Sequence, residues 1–275
     1  MISWRGIVFV TAITIAVHAS TLAAQLRPLE PIPWRLFDET TSLSGELGGA
    51  RLFDQRASLA GSTGDLWELL TFAFGWRTGR VVLEAAGTGF RIFRERSHFA
   101  ALYPGVDAAE DGRRHDSGDY RISTTVRLTP TSSQVTAALR FGTRLPTTDN
   151  TTGLDRDAVD FFATAGAASD RGPLSLSGEA GLGIHTTREE EFEQDDLFLY
   201  ALRAEYRTAI VTPGVAMLGQ MHGTTHSAIR GVENLGELRL GLRAGGRRWI
   251  RGEVVKGYET FSPSWGFIVT AGVLR

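Results

Sequence analysis

Between Ser132 and Ala168 the chain alternates apolar and polar residues in two segments separated by a long polar loop. From Val135 to Leu145 one parity reads Val135, Ala137, Leu139, Phe141, Thr143, Leu145, and the other Thr136, Ala138, Arg140, Gly142, Arg144. Successive side chains of a strand point to opposite faces, so this segment offers one apolar face and one face carrying two arginines. Beyond the loop, Val159, Phe161, Ala163, Ala165 and Ala167 repeat the apolar face, with Asp160 and Thr164 opposite. A period of two marks a strand whose two sides meet unlike surroundings. Most of the chain behaves this way, and no stretch of it after the leader shows a convincing helical period.

Twelve candidate strands follow from the same pattern, at 45–59, 65–77, 79–94, 118–129, 133–145, 157–168, 173–186, 196–208, 211–222, 234–244, 247–259 and 263–274. Each has at least the length that a tilted strand needs to cross a bilayer, roughly 9–11 residues. The connections alternate in length. Thr78-Gly79, Pro130-Thr131-Ser132, Asp170-Arg171-Gly172, Thr208-Ala209-Ile210 and Gly245-Gly246 are short. Glu95 to Ser117, Pro146 to Arg156, Thr187 to Asp195 and Gly223 to Glu233 are long. Short periplasmic turns and longer external loops are the habit of outer-membrane barrels, and an even strand count returns both ends to one side. The expected fold is therefore all-β: a transmembrane antiparallel up-and-down β-barrel of about twelve strands, over 42–275.

A water-soluble, lipocalin-like carrier would show the same alternation with its faces exchanged. Two features favour the membrane. Leu174, Leu176, Ala180, Leu182 and Ile184 oppose Glu179 and His185, and Leu238, Leu240 and Leu242 oppose Glu237, Arg239 and Arg243. So many charges on one face suit a wet or salt-bridged lumen. In addition, Tyr200, Tyr206, Trp249, Tyr258 and Trp265 lie near strand ends, where interfacial girdles sit. Leu66 to Trp76 is apolar on both faces, so the second and third strands are ambiguous.

The first 24 residues read as a Sec-type secretory signal peptide, with Arg5, an apolar Gly6 to Val17 and small residues ending at Ala23-Ala24. Pro28, Pro31 and Pro33 resist both helix and central strand, which predicts an irregular periplasmic lead-in over 25–41 that touches the barrel mouth. The 275-residue chain has a formal charge of -2, so bulk charge favours neither nucleic acid nor an anionic surface. All of its 29 basic residues but Lys256 are arginine, a bias that a GC-rich genome also produces. Without cysteine there are no disulfides or thiolate metal sites.

The run Arg140 to Phe161 contains Arg144-Leu145-Pro146-Thr147, then Gly153-Leu154, then Asp160 opening the next strand. This resembles a signature in a group of outer-membrane barrels that includes the family called "MetA-pathway of phenol degradation" and a related family of uncharacterised bacterial barrels. Glu233 to Arg243 and Phe261 to Phe267 are similar to the closing strands of that second family. The resemblance spans about the last two-thirds of the chain and implies barrel fold and outer-membrane location. The chain departs from such barrels by ending Val273-Leu274-Arg275, where an aromatic residue is common.

The parity assigns Arg121, Arg127, Arg140, Arg144, Glu179, Arg203, Glu205, Arg207, Glu237, Arg239, Arg243, Arg251 and Glu253 to the lumen. One reading is an arginine-lined passage for small solutes, anions among them. The other is a set of arginine–carboxylate ladders that brace and close a narrow, non-conducting barrel. A lipid hydrolase is a third reading, with His115, Asp116 and Ser117 or His222, His226 and Ser227 as candidates. Adjacency in a loop does not supply the contact geometry that nucleophilic catalysis needs. The acidic run Glu189 to Asp196, like Asp149, Asp155 and Asp157, offers oxygen ligands for a hard cation without a defined ligand spacing. The expectation is a monomeric, non-enzymatic barrel with no cofactor, metal or nucleic acid. Its partners would be outer-membrane lipid and lipopolysaccharide, the barrel-assembly machinery and small solutes.

Overall fold

A computed structural model describes residues 26–38, 41–147, 149–156, 158–189, 192–222 and 229–275. The strands are β1 (Leu43–Ala57), β2 (Ser62–Thr78), β3 (Val81–His98), β4 (Arg113–Asp116), β5 (Tyr120–Arg127), β6 (Val135–Leu145) and β7 (Asp160–Arg171). They continue with β8 (Leu174–Glu189), β9 (Phe192–Tyr206), β10 (Val211–His222), β11 (Leu235–Gly245), β12 (Arg248–Gly257) and β13 (Trp265–Leu274). Each pairs antiparallel with its neighbour, and β1 closes the ring on β13 from Ser44↔Leu274 to Phe53↔Trp265. β4 and β5 lie in succession along β3, at Arg91–Arg94 and Val81–Gly87 respectively, and so make one interrupted stave. The result is a closed twelve-stave antiparallel barrel.

The interruption has a local cause. Gly118 passes so close to β3 that a Cβ there would meet the Thr88 Cβ at 2.3 Å. Its N–H donates to the Thr88 carbonyl, the Thr88 N–H donates to the Asp119 carbonyl, and the Asp119 side chain meets Arg91 on the inside. β4 lies within Glu95 to Ser117, which the sequence pattern assigns to a plain long connection. The β8–β9 hairpin likewise pairs out to Glu189↔Phe192, although the pattern predicts a loop over Thr187 to Asp195.

The two-sided apolarity of Leu66 to Trp76 resolves into a β-bulge. Gly48 pairs with Thr71 and Gly49 with Leu69, which leaves Leu70 as the extra residue, with φ 55°. A bulge inserts one residue and resets the parity beyond it. Trp67 and Leu69 face outwards before it, and Phe74 and Trp76 after it.

Along the staves apolar side chains face out and charges face in. Leu182 and Leu240 are 61% and 59% exposed, whereas Arg140 and Arg239 are 1% and 2% exposed. A surface of this kind needs lipid, since burying it in a packed interior is not an option for a closed barrel with a charged lumen. Leu240 lies mid-way along β11 between Val215 and Val254. Leu240→Arg is expected to cost about 2–4 kcal/mol, the usual penalty for arginine on the lipid face near the midplane. The check is denaturant unfolding in lipid vesicles, and an unchanged midpoint would reverse the assignment of faces.

The largest apolar cluster of the interior lies towards the end with long connections. Leu26, Ala57, Ala60, Leu66, Phe93 and Leu154 form one buried cluster there, and Leu59 with Val106 another. The loop residues 149–156 fold inwards to reach it, with Leu154, Asp155 and Arg156 fully buried. Among the described residues, packed side chains thus fill part of the loop end.

Candidate functional site in the barrel lumen

The lead-in does not stay beneath the barrel. Residues 26–38 thread the lumen from the loop end, where Leu26 packs, to the turn end, where Thr41 and Ser42 join the start of β1 beside Arg275. The segment is irregular, with one 3-10 turn at Trp34–Phe37. Its three prolines lack N–H groups that a lumen-crossing chain would otherwise have to satisfy. Side chains of the wall hold the rest. Arg27 donates both Nε and Nη2 to Glu237 at 3.0 Å, and Nη1 to Glu68 at 3.1 Å. Glu30 pairs with Arg239 at 2.8 Å, and its carbonyl accepts from Arg140 at 3.0 Å. The Ile32 N–H donates to Glu179 at 2.8 Å, and Glu179 also takes Arg140 at 2.6 Å. Arg35 donates to Glu205 at 2.8 Å, and Arg127 to the Phe37 carbonyl at 3.4 Å. Leu36 and Phe37 pack with Val82 and Ala138 of the wall.

A second network lies towards the loop end. Arg91 spans Glu68 at 3.2 Å, Asp119 at 3.1 Å and Asp155 at 3.1 Å. Arg144 bonds Asp119 at 3.4 Å and pairs with Asp160, which also takes Arg156 at 2.5 Å. His185 Nδ1 lies 3.7 Å from the same Asp160 carboxylate. Burial, reinforced by the Asp119 carboxylate beside it, pushes the Asp155 carboxyl well up.

Beside the strap and these networks runs a cavity of about 580 Å³. Its lining extends from Arg91, Arg144 and His185 on the loop side to Thr131, Ser133 and Asp170 at the turn end. Arg121, Arg127, Arg203, Glu205, Arg207, Arg239, Arg243, Arg251 and Glu253 line it as well. Arg140, Glu179 and Glu237 face the strap. Pairing weakens towards the turn end. Arg203 lies 3.8 Å from Glu205, and Arg251 lies 3.7 Å from Glu253 and 3.8 Å from Glu46. Arg207 pairs with Asp170 at 3.0 Å.

Several lumen residues escape the parity argument. Arg27 and Glu30 sit in the proline-rich segment, Glu68 and Arg91 on the ambiguous strands, and Asp155 in a long connection, whereas Asp119 shares the inward parity of Arg121 within 118–129. A carboxylate close to a bulge or a positive-φ glycine is the signal that could have found Glu68 and Asp155.

The residues considered for hydrolysis are spent on structure. Asp116 accepts from Thr152 Oγ1 at 2.5 Å and from the Asp149 N–H at 3.1 Å, Ser117 donates to the Thr147 carbonyl, and His115 stacks on Phe90. His222 pairs with Asp195 at 2.8 Å, while His226 and Ser227 lie outside the described residues. Of the other acidic candidates, Asp149 caps a 3-10 turn through the Thr151 N–H. Asp157, Glu190 and Glu191 lie outside the described residues.

No protein-family model matches the chain, and no curated protein matches it. Solved structures do. An outer-membrane channel from Pseudomonas putida F1 is 11% identical with a TM-score of 0.61, over 90% of this chain and 97% of that one. The transport unit of the autotransporter AIDA-I from Escherichia coli is 10% identical with a TM-score of 0.49, over 97% of both chains. Outer-membrane phospholipase A from Escherichia coli is 14% identical with a TM-score of 0.45, over 84% of this chain and 95% of that one. Shared fold is what the first of these likenesses shows, and the fold of this chain is that of an outer-membrane β-barrel.

Proposed function

We propose that this barrel sits in the outer membrane as a non-enzymatic, monomeric, narrow channel or transport-associated protein for small solutes. The observation that carries the reading is the cavity beside the strap. It is continuous along much of the lumen, lined by charged groups, and bordered on one side by a segment that belongs to no β ladder. A strap held by side-chain pairs can shift without breaking the barrel, because the ring of staves closes without it. A second reading, a sealed structural barrel, is favoured by the packed apolar cluster at the loop end and by the Arg–carboxylate pairs.

Single-channel recording in a planar bilayer separates the two. The full-length protein, shown to be folded by faster migration of the unboiled band on SDS gels, is expected to give small discrete conductance steps. Folded protein that inserts and gives no steps at either polarity would overturn the channel in favour of the sealed barrel.

A further inference from the structure

Charge pairing runs out on one side of the turn-end lumen. The register of β11 and β12 sets Arg243 directly opposite Arg251, with Thr212 of β10 on the other side of Arg243. Like charges in directly opposed positions are destabilising unless something lies between them. Both guanidinium groups stand over the ring of Trp249, at 5.9 Å and 5.4 Å from its centroid. Arg243 is 8% exposed and has no carboxylate within 4 Å among the described residues. Among the described residues its Nε and Nη1 find no hydrogen-bond partner, and neither do Arg251 Nε and Trp249 Nε1. The carboxylates facing the site are committed elsewhere or distant. Glu205 is taken by Arg35 at 2.8 Å, Asp170 by Arg207 at 3.0 Å, and Glu46 and Glu253 lie no nearer than 3.7 Å to Arg251. Arg243, Trp249, Arg251 and these carboxylates line the same cavity, whose lining continues to the turn end.

We propose that Arg243, Arg251 and Trp249 form a binding site for a small free oxyanion, a carboxylate or phosphate, that enters from the turn end. A buried donor without a partner is costly, more so when charged, so an acceptor at this point is favoured. The planar forks of two opposed guanidinium groups suit the spread oxygens of a carboxylate or phosphate better than they suit chloride. The closed wall excludes a lipid headgroup as the source. This names the solute class of the channel reading and rests on it for delivery only, since binding is measurable without conduction.

The test is fluorescence of the full-length folded protein in detergent, titrated with inorganic phosphate or acetate against chloride at equal ionic strength. A saturable emission change with either oxyanion and none with chloride is expected, lost in Trp249→Phe. Arg243→Gln is expected to raise the apparent Kd at least tenfold, and Arg251→Gln to weaken binding as well, so that one misfolded variant does not decide the matter. No saturable response, or equal affinity in the wild type and both arginine variants, overturns the site. Conductance steps without oxyanion binding would retain the channel and reject the site. Binding without steps would retain the site and reject the channel.

Discussion

Replacing Arg91 with leucine is expected to lower barrel stability by about 3–5 kcal/mol, the usual result of removing one partner of a buried ion pair. Arg91 is 3% exposed and joins Glu68, Asp119 and Asp155, so its loss leaves Glu68 to Arg27 and Asp119 to Arg144 and takes the cation from beside Asp155. Leucine fills part of the volume but donates nothing. The contrast is Asp155→Asn. Burial and the neighbouring Asp119 raise the Asp155 carboxyl, so the folded state disfavours a charge there, and an amide of similar volume carries none. The Asp155→Asn replacement is expected to cost about 1 kcal/mol or less. The sign of the pH dependence follows. A carboxyl raised by folding favours the folded state below its ordinary value of roughly 4, and that contribution is lost as pH rises towards the raised value. Wild-type stability should therefore decline through that window, and Asp155→Asn should decline less. Urea unfolding in vesicles across pH, read by the heat-dependent gel shift, measures both effects. An Arg91→Leu midpoint equal to wild type would mean that the lumen network contributes little and that backbone closure alone holds the barrel.

The barrel was legible in the sequence because lipid and lumen impose opposite demands on alternate residues. From Val135 to Leu145, or Leu238 to Arg243, every outward position is apolar or small and all the charges fall on the inward parity. The pattern failed where backbone geometry breaks the period. Leu70 adds one residue, so Leu69 and Leu70 both face out and neither parity looks polar across the whole strand. Asp119, by contrast, follows a glycine break one residue ahead of β5 and still keeps the inward parity of Arg121. The strap was illegible for a different reason. Proline density excludes helix and ladder, but the contacts of Arg27 are with residues 41 and 210 positions away. Local periodicity carries no information about such distant pairs. The turn-end arginines were readable as inward, yet only the β11–β12 register shows that Arg243 and Arg251 confront each other.

Deleting residues 26–38 is expected to raise single-channel conductance at least about threefold, because a twelve-strand lumen lies between filled eight-strand barrels and open porins. The deletion removes the peptide that fills the lumen and the partners of Glu237, Glu179, Glu205 and Arg239 together. These groups are not left dry, as in Arg91→Leu, because water enters the vacated space and solvates them. The stave ring has no ladder bond to the strap, so the unboiled gel band should persist. Salt supplies an independent signature. Ion pairs weaken as the screening length falls from about 10 Å at 0.1 M to about 3 Å at 1 M. Conductance of the wild type, normalised to that of the bulk solution, should therefore rise with salt, while that of the deletion should stay flat. Folded deletion protein with wild-type conductance would place the limiting barrier elsewhere. The packed Leu26–Leu66–Phe93–Leu154 cluster at the loop end would be that barrier. Because Leu26 belongs to both the strap and that cluster, the double replacement Arg27→Ala with Glu30→Ala separates them. It loosens the strap's charged grip while leaving Leu26 in place, and a rise in conductance from that variant alone assigns the gate to the ion pairs.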